Sequence, residues 1–278
     1  MKKILICSNP ERDKGFKTAE KVKKILDGSA EGIICSVDYS NLRADKEKIS
    51  KMISDCEFAV AIGGDGTVMH VVRAAAPCGK AVIGINKGKK GFLAELDESS
   101  IEMILNATQG DYIFDKRMML DVTVFRNGEK LFSDFAVNDA AISGFSRMLD
   151  ISVFVDGIKM TQIYGDGLVI ASPTGSTAYS MAAGGPIVEP EAENFIITPI
   201  CAHSLGARPY VLAPDREILV IINNLANKNA YVSADGCEGV KLQSGDIIKV
   251  RRSRHKMRFI KVTDKSFYET VIEKLGER

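Results

Sequence analysis

Several absences narrow the possibilities for this 278-residue chain. It lacks a charge bias: 37 basic and 36 acidic residues leave a formal net charge of +1, so nothing in the balance calls for nucleic acid or an anionic membrane as partner. The one dense basic run, Lys249 to Arg258, alternates charged with apolar residues and has no aromatic platform, which suits the solvated face of a strand. There is no C-x-x-C pair among the six cysteines, which excludes a zinc knuckle or a dithiol redox motif and fits a reducing, cytoplasmic setting. No apolar run approaches the length of a membrane span, and the stretch from Ile4 to Cys7 is too short for a signal peptide. Neither a Walker A pattern nor, in the first strand-to-helix turn, the dinucleotide fingerprint G-x-G-x-x-G occurs, so a standard P-loop enzyme and a standard dehydrogenase both lose ground. The three histidines show no ligand spacing, and no protein-borne metal site is expected.

What is present divides by period. The first part alternates short apolar runs with helix-like segments. One of these segments carries Ala19, Val22, Lys23 and Leu26 at near-helical spacing; another carries Val68, Val71, Val72 and Ala75 and meets Pro77. This is a βαβ rhythm, which implies an open α/β (Rossmann-like) sheet with ligands beyond the carboxyl ends of its strands. Near Asp115 the rhythm changes to β-rich runs folded about Asn127-Gly128 and Asp156-Gly157, dipeptides that favour tight hairpins. The expectation is therefore an α/β domain over 1–115, with the tail 262–278 packing back on it, and a β-rich domain over 116–261.

Two stretches carry chemistry. In "AIGGDGTVMHVVR" a buried strand runs into Gly63-Gly64-Asp65-Gly66-Thr67 and then a helix, so backbone N–H groups and the helix's positive end can converge on a phosphate. Such a loop is often only a tight turn. Asp65 changes the reading, because a carboxylate repels phosphate unless a proton has to be taken from an attacking hydroxyl. In "GDGLVIASPTGSTAYSMAAGGP" the hydroxyls of Ser172, Thr174, Ser176 and Thr177 suit adenine, ribose and phosphate, with one of them expected to cap a helix.

Taken in order, GGDGT, Asn138-Asp139, the TGSTAY stretch and "PICAHSLGARPYVL" resemble the NAD kinases over roughly 62–236. The resemblance implies that Asp65 is the general base toward the adenosine 2′-hydroxyl of NAD and that Gly66 lies against the phosphates, within a cradle of Gly63, Gly64, Gly66 and Thr67. It implies nucleotide contacts from Asn138, Asp139, Arg147, Tyr164, Asp166, Thr177, Ala178, Tyr179 and Ala182. It also implies ATP or another triphosphate or polyphosphate as donor, a divalent cation such as Mg²⁺, and a homodimer or homotetramer formed through the β-rich domain. Three departures from the family pattern stand out: Asp139 where Glu is usual, Lys89-Lys90 before Gly91, and Cys237 where a polar residue is usual. A lipid kinase sharing GGDGT and a non-catalytic dinucleotide sensor are the competing readings. His70 is expected to be a face residue of the helix after GGDGT rather than a metal ligand, and His203 a packed or turn-bonding residue.

Overall fold

The structure, a computed structural model, describes residues 2–88, 91–145, 148–204, 206–225 and 229–276. The chain forms two compact units, one from residues up to Lys116 together with those from His255 onward, the other from Arg117 to Arg254.

Unit 1 is built from β1 (Lys2–Ser8), α1 (Lys17–Leu26), β2 (Ala30–Ser36), α2 (Leu42–Ser54), β3 (Phe58–Gly63), α3 (Asp65–Ala75), β4 (Ala81–Asn86) and α4 (Ile104–Gln109). The strands are parallel in the order β2-β1-β3-β4. Every residue of β3 and β4 is buried, as expected for strands covered on both faces, which is why both are continuous apolar runs. Helix α1 starts where Asp13 accepts from the N–H groups of Thr18 (2.9 Å) and Ala19 (3.0 Å). It buries Thr18, Ala19, Val22 and Leu26, whereas Lys23, expected on the apolar face, is exposed. Helix α3 buries Val68, Val71, Val72 and Ala75 despite its β-branched residues, so packing outweighs propensity there. Pro77 lies in the 3₁₀ turn that ends it.

Strand order reverses between β1 and β3, and in open α/β sheets ligands bind outside the carboxyl ends of the strands at such a switch. The GGDGT turn leaves the carboxyl end of β3, so the topology puts it at that point.

Unit 2 is antiparallel. Its strands are the hairpin β5 (Ile113–Arg126) and β6 (Glu129–Ala136), then β7 (Asp139–Phe145), β8 (Leu149–Val155), β9 (Ile158–Gly165) and β10 (Gly167–Ala171). The short helix α5 (Tyr179–Ala182) precedes β11 (Phe195–Ile200), β12 (Tyr210–Leu212), β13 (Ile218–Asn224), β14 (Asn229–Ala234), β15 (Val240–Lys241) and β16 (Ile247–Lys261). One sheet runs β12-β11-β10-β7-β14-β15; β9, β8, β13 and the first part of β16 pair in a second. Side chains of both sheets, among them Ile142, Ile151, Ile170, Phe195 and Val220, share one apolar core. Both expected hairpins form, with Asn127 and Asp156 at φ 51° and 49°.

The last part of β16 pairs with β4 through Phe259 and Val82 in unit 1. Glu95 Oε1 accepts from the N–H groups of Val262 and Thr263, and α6 (Phe267–Leu275) begins with a capping box of Ser266 and Glu269.

Candidate active site

In unit 1 the turn is built around Asp65. Gly64 is the N-cap of α3, and its carbonyl accepts from Thr67 and Val68, so Asp65 is the first helical residue. Its half-buried carboxylate points back to the segment after β4. Oδ2 accepts from the Phe92 N–H at 2.7 Å and Oδ1 from the Leu93 N–H at 3.2 Å. A Cβ at Gly91 would collide with this carboxylate, so only glycine lets the segment approach it. A carboxylate offers about four lone-pair sites, so two remain for a substrate proton.

The four cradle residues differ in role. Gly64 and Gly66 sit at the start of α3, where the first N–H groups have no intrahelical partner. Gly63 is the buried last residue of β3. The Thr67 hydroxyl, however, is committed internally, 2.7 Å from the Tyr39 hydroxyl and accepting from Asn9 Nδ2 at 3.3 Å. That network ties the loops after β1 and β2 to α3. His70 is buried with Nε2 2.9 Å from Asp45 Oδ2, and burial lowers its pKa; it is a packed residue. No metal-holding cluster of three or more His, Cys, Asp or Glu occurs among the described residues.

In unit 2, Asn138 and Asp139 enter β7, and their conformation is set from 96 or more residues away. Asp235, at φ 54°, accepts from the N–H groups of Val137 (2.7 Å), Asn138 (2.7 Å) and Asp139 (3.2 Å). Asp139 is 5% exposed, and burial together with the nearby Asp235 charge pushes its carboxyl up to about 7.

Against this clamp lies the hydroxyl-rich loop. Ser172 donates to the Val137 carbonyl (2.6 Å) and accepts from the Gly175 N–H (3.2 Å), and Ser176 exchanges hydrogen bonds with the Val188 backbone. Both are fully buried, so two of the four hydroxyls expected to meet a nucleotide instead hold the loop closed. None of the four hydroxyls is the expected helix cap, because Pro173 and Ala178 hold the N-cap positions of the 3₁₀ turn Thr174–Thr177 and of α5. Thr177 donates to the Thr174 carbonyl, while Thr174 Oγ1 is buried without a partner among the described residues. A Cβ at Gly175 would run into the Asn138 carbonyl, which is how TGST and Asn138-Asp139 come together. Ala178 is half-buried, and Tyr179 and Ala182 are exposed on α5. Tyr164 is exposed on β9 with its hydroxyl accepting from Gln162, and its carbonyl accepts from the His203 N–H at 2.7 Å. Asp166 is exposed between β9 and β10. Arg147 and Lys89-Lys90 lie outside the described residues.

Sequence reasoning left Asp235 and Gly91 without roles. A signal for Asp235 was present, since an Asp-Gly pair ending an apolar run marks a tight turn; its three amide partners are far away in sequence.

Family models match both halves. The ATP-NAD kinase N-terminal domain matches residues 4–112 and the ATP-NAD kinase C-terminal domain matches residues 141–262. The chain belongs to the ATP-NAD kinase family. A member of that family is a phosphotransferase, and curated relatives agree. An NAD kinase of Thermoanaerobacter sp. (strain X514) is 36% identical over 100% of both chains. One of Acetivibrio thermocellus is 35% identical over 100% of this chain and 98% of its own. Two solved structures share the fold of this family member. Yeast NADH kinase complexed with NADH matches with a TM-score of 0.83 and 23% identity, covering 99% of this chain and 88% of that one. An NAD kinase from Archaeoglobus fulgidus in complex with ATP gives 0.78 and 24%, covering 98% of each.

Proposed function

We propose that this chain transfers the terminal phosphoryl group of ATP to the adenosine 2′-hydroxyl of NAD, giving NADP and ADP. The observation that carries this reading is the Asp65 carboxylate, oriented by two backbone N–H groups at the first residue of α3 and at the switch point of the unit 1 sheet. Asp65 takes the hydroxyl proton as the 2′-oxygen bonds to the γ-phosphorus; the bond from that phosphorus to the β–γ bridging oxygen breaks and ADP leaves. Phosphoryl transfer demands little covalent work from a protein, so positioning and charge placement dominate. The N–H groups of Gly64 and Gly66 receive phosphate oxygens, while Thr67 acts through Tyr39 and Asn9 to hold the turn.

On the acceptor side, Asn138 and Asp139 contact the adenosine part, with Arg147, Tyr164 and Asp166 lining the site and Thr177 to Ala182 holding the nucleotide. A divalent cation, Mg²⁺ in the usual case, supplies neutralisation of the donor phosphates. Work in the cytoplasm as a homodimer or homotetramer completes the reading; no described helix is long and apolar enough to cross a membrane. Neither a lipid kinase nor a non-catalytic sensor gains support, since the family models and relatives are NAD kinases along both halves.

Incubation of the purified chain with γ-labelled ATP, Mg²⁺ and either NAD or diacylglycerol tests the proposal. Label in NADP and none in lipid is expected. Labelled lipid, or NAD binding with no NADP formed, would overturn it.

A further inference from the structure

At the carboxyl end of β4, Asn86 is 9% exposed and its Oδ1 has no hydrogen-bond partner among the described residues. Its Nδ2 donates to the Gly88 carbonyl at 3.1 Å, and that bond fixes the amide's orientation, because a flipped amide would set two oxygens against one another. The orphan is therefore an acceptor. A buried acceptor left dry is costly, so its presence beside a functional turn asks for a donor or cation from outside the protein.

Two observations give its direction. Asn86 pairs with Gly63 across the parallel β3–β4 ladder, and paired residues of neighbouring strands share a face. A Cβ on Gly63 would run into Thr67, so that face is the one covered by α3. Strand alternation agrees: Gly84, two residues earlier, faces Val68 of α3 and the backbone of Leu93 and Ala94. Asn86 thus lies on the side of the sheet where the Phe92 and Leu93 amides grip Asp65.

This face combines groups that no bare anion would satisfy. The first N–H groups of α3 attract negative charge, while the Asp65 carboxylate and the Asn86 oxygen repel it. A phosphate chain that carries a hydrated hard cation answers both demands at once. Mg²⁺ commonly keeps most of its water and leans on one or two protein oxygens plus substrate phosphates. That matches a chain with no cluster of three or more metal-holding side chains among its described residues.

We propose that Asn86 Oδ1 contacts the hydrated divalent cation that accompanies the triphosphate donor. The inference rests on the donor reading above. Mn²⁺ affinity, measured by water-proton relaxation in the complex with NAD and a non-hydrolysable ATP analogue, is the direct readout; calorimetry in EDTA gives the metal-free affinities for ATP and NAD. Asn86→Leu is expected to weaken Mn²⁺ binding about tenfold while leaving both metal-free affinities unchanged. Asn86→Asp, which restores an oxygen and adds charge, is expected to bind Mn²⁺ several-fold more tightly than the unaltered chain. Unchanged Mn²⁺ affinity in the leucine variant overturns the assignment. So does an equal loss of metal-free ATP or NAD binding, which would make Asn86 an acceptor for a sugar hydroxyl or base amine. Should the leucine variant not fold, Asn86→Asp decides alone: several-fold tighter Mn²⁺ binding supports the contact, and unaltered binding contradicts it. If the unaltered chain binds neither the triphosphate nor Mn²⁺, the donor reading itself fails; unaltered-chain binding with insensitive variants sinks only the role of Asn86.

Discussion

In unit 1, Asp65 is half-buried and each of its oxygens accepts a backbone N–H. In unit 2, Asp139 is 5% exposed, faces a second acid, and is pushed up to about 7 by burial and by Asp235. The amide donors of unit 2 go to Asp235, which accepts three N–H groups and thereby shapes the backbone of Asp139 without solvating its carboxyl. Unit 1 therefore uses backbone donors to aim an acid, and unit 2 uses them to aim a loop. An aimed acid suits proton transfer; a shaped loop with a dry carboxyl suits recognition of a sugar hydroxyl, whose hydrogen bond would replace the missing water.

The contrast can be broken first at Gly91. A methyl group there displaces either the 91–93 segment or the Asp65 carboxylate, and misplacement by about 1 Å costs on the order of a hundredfold in turnover. Gly91→Ala should show that loss in steady-state kinetics with an unchanged circular dichroism spectrum; full activity would mean that the grip on Asp65 is incidental.

Next comes Asp235. Asp235→Ala strands three N–H groups and sets a Cβ-bearing residue without a local hydrogen-bonding side chain at φ 54°, so denaturant unfolding should register a loss of about 2–4 kcal/mol. Asp235→Gly relieves the backbone strain but not the amides. If glycine restores stability fully, the clamp contributes nothing.

The smallest effect is the pH response of Asp139. Its folded pKa lies above the unfolded value of about 3.9, so between about pH 4 and 7 the folded chain keeps a proton that the unfolded chain has lost. Stability from this group is full below about pH 4 and is lost as pH rises through 7. Asp139→Asn removes the dependence, and its melting temperature should exceed that of the unaltered chain by several degrees at pH 8 and by nothing at pH 4. A gap of constant size across that range would show that Asp139 stays charged in the fold.

Much of this architecture was legible locally. The glycines of GGDGT follow a wholly buried strand, and the faces of α1 and α3 announce themselves by spacing, Lys23 excepted, because both signals live within a dozen residues. The order β2-β1-β3-β4 was not legible, since parallel pairing leaves no mark on a single strand's pattern. Nor were the roles of Gly91, Asp235 or Asn86. Each depends on a partner brought close only by the fold: Asp65 from 26 positions before Gly91, the Asn138 segment from nearly a hundred before Asp235, and Gly63 across the ladder from Asn86. The hydroxyls of Ser172 and Ser176 taught the converse lesson, because residue type suggested ligand contacts where burial makes them loop fasteners.

The most direct measurement is single-turnover formation of NADP by Asp65→Asn beside the unaltered chain, both saturated with NAD and Mg·ATP. A positioned base is worth about 10²–10⁴-fold, so the variant should be slower by at least the lower figure, with NAD affinity by calorimetry nearly intact. A variant that turns over at the rate of the unaltered chain would contradict the assignment of Asp65 as the base.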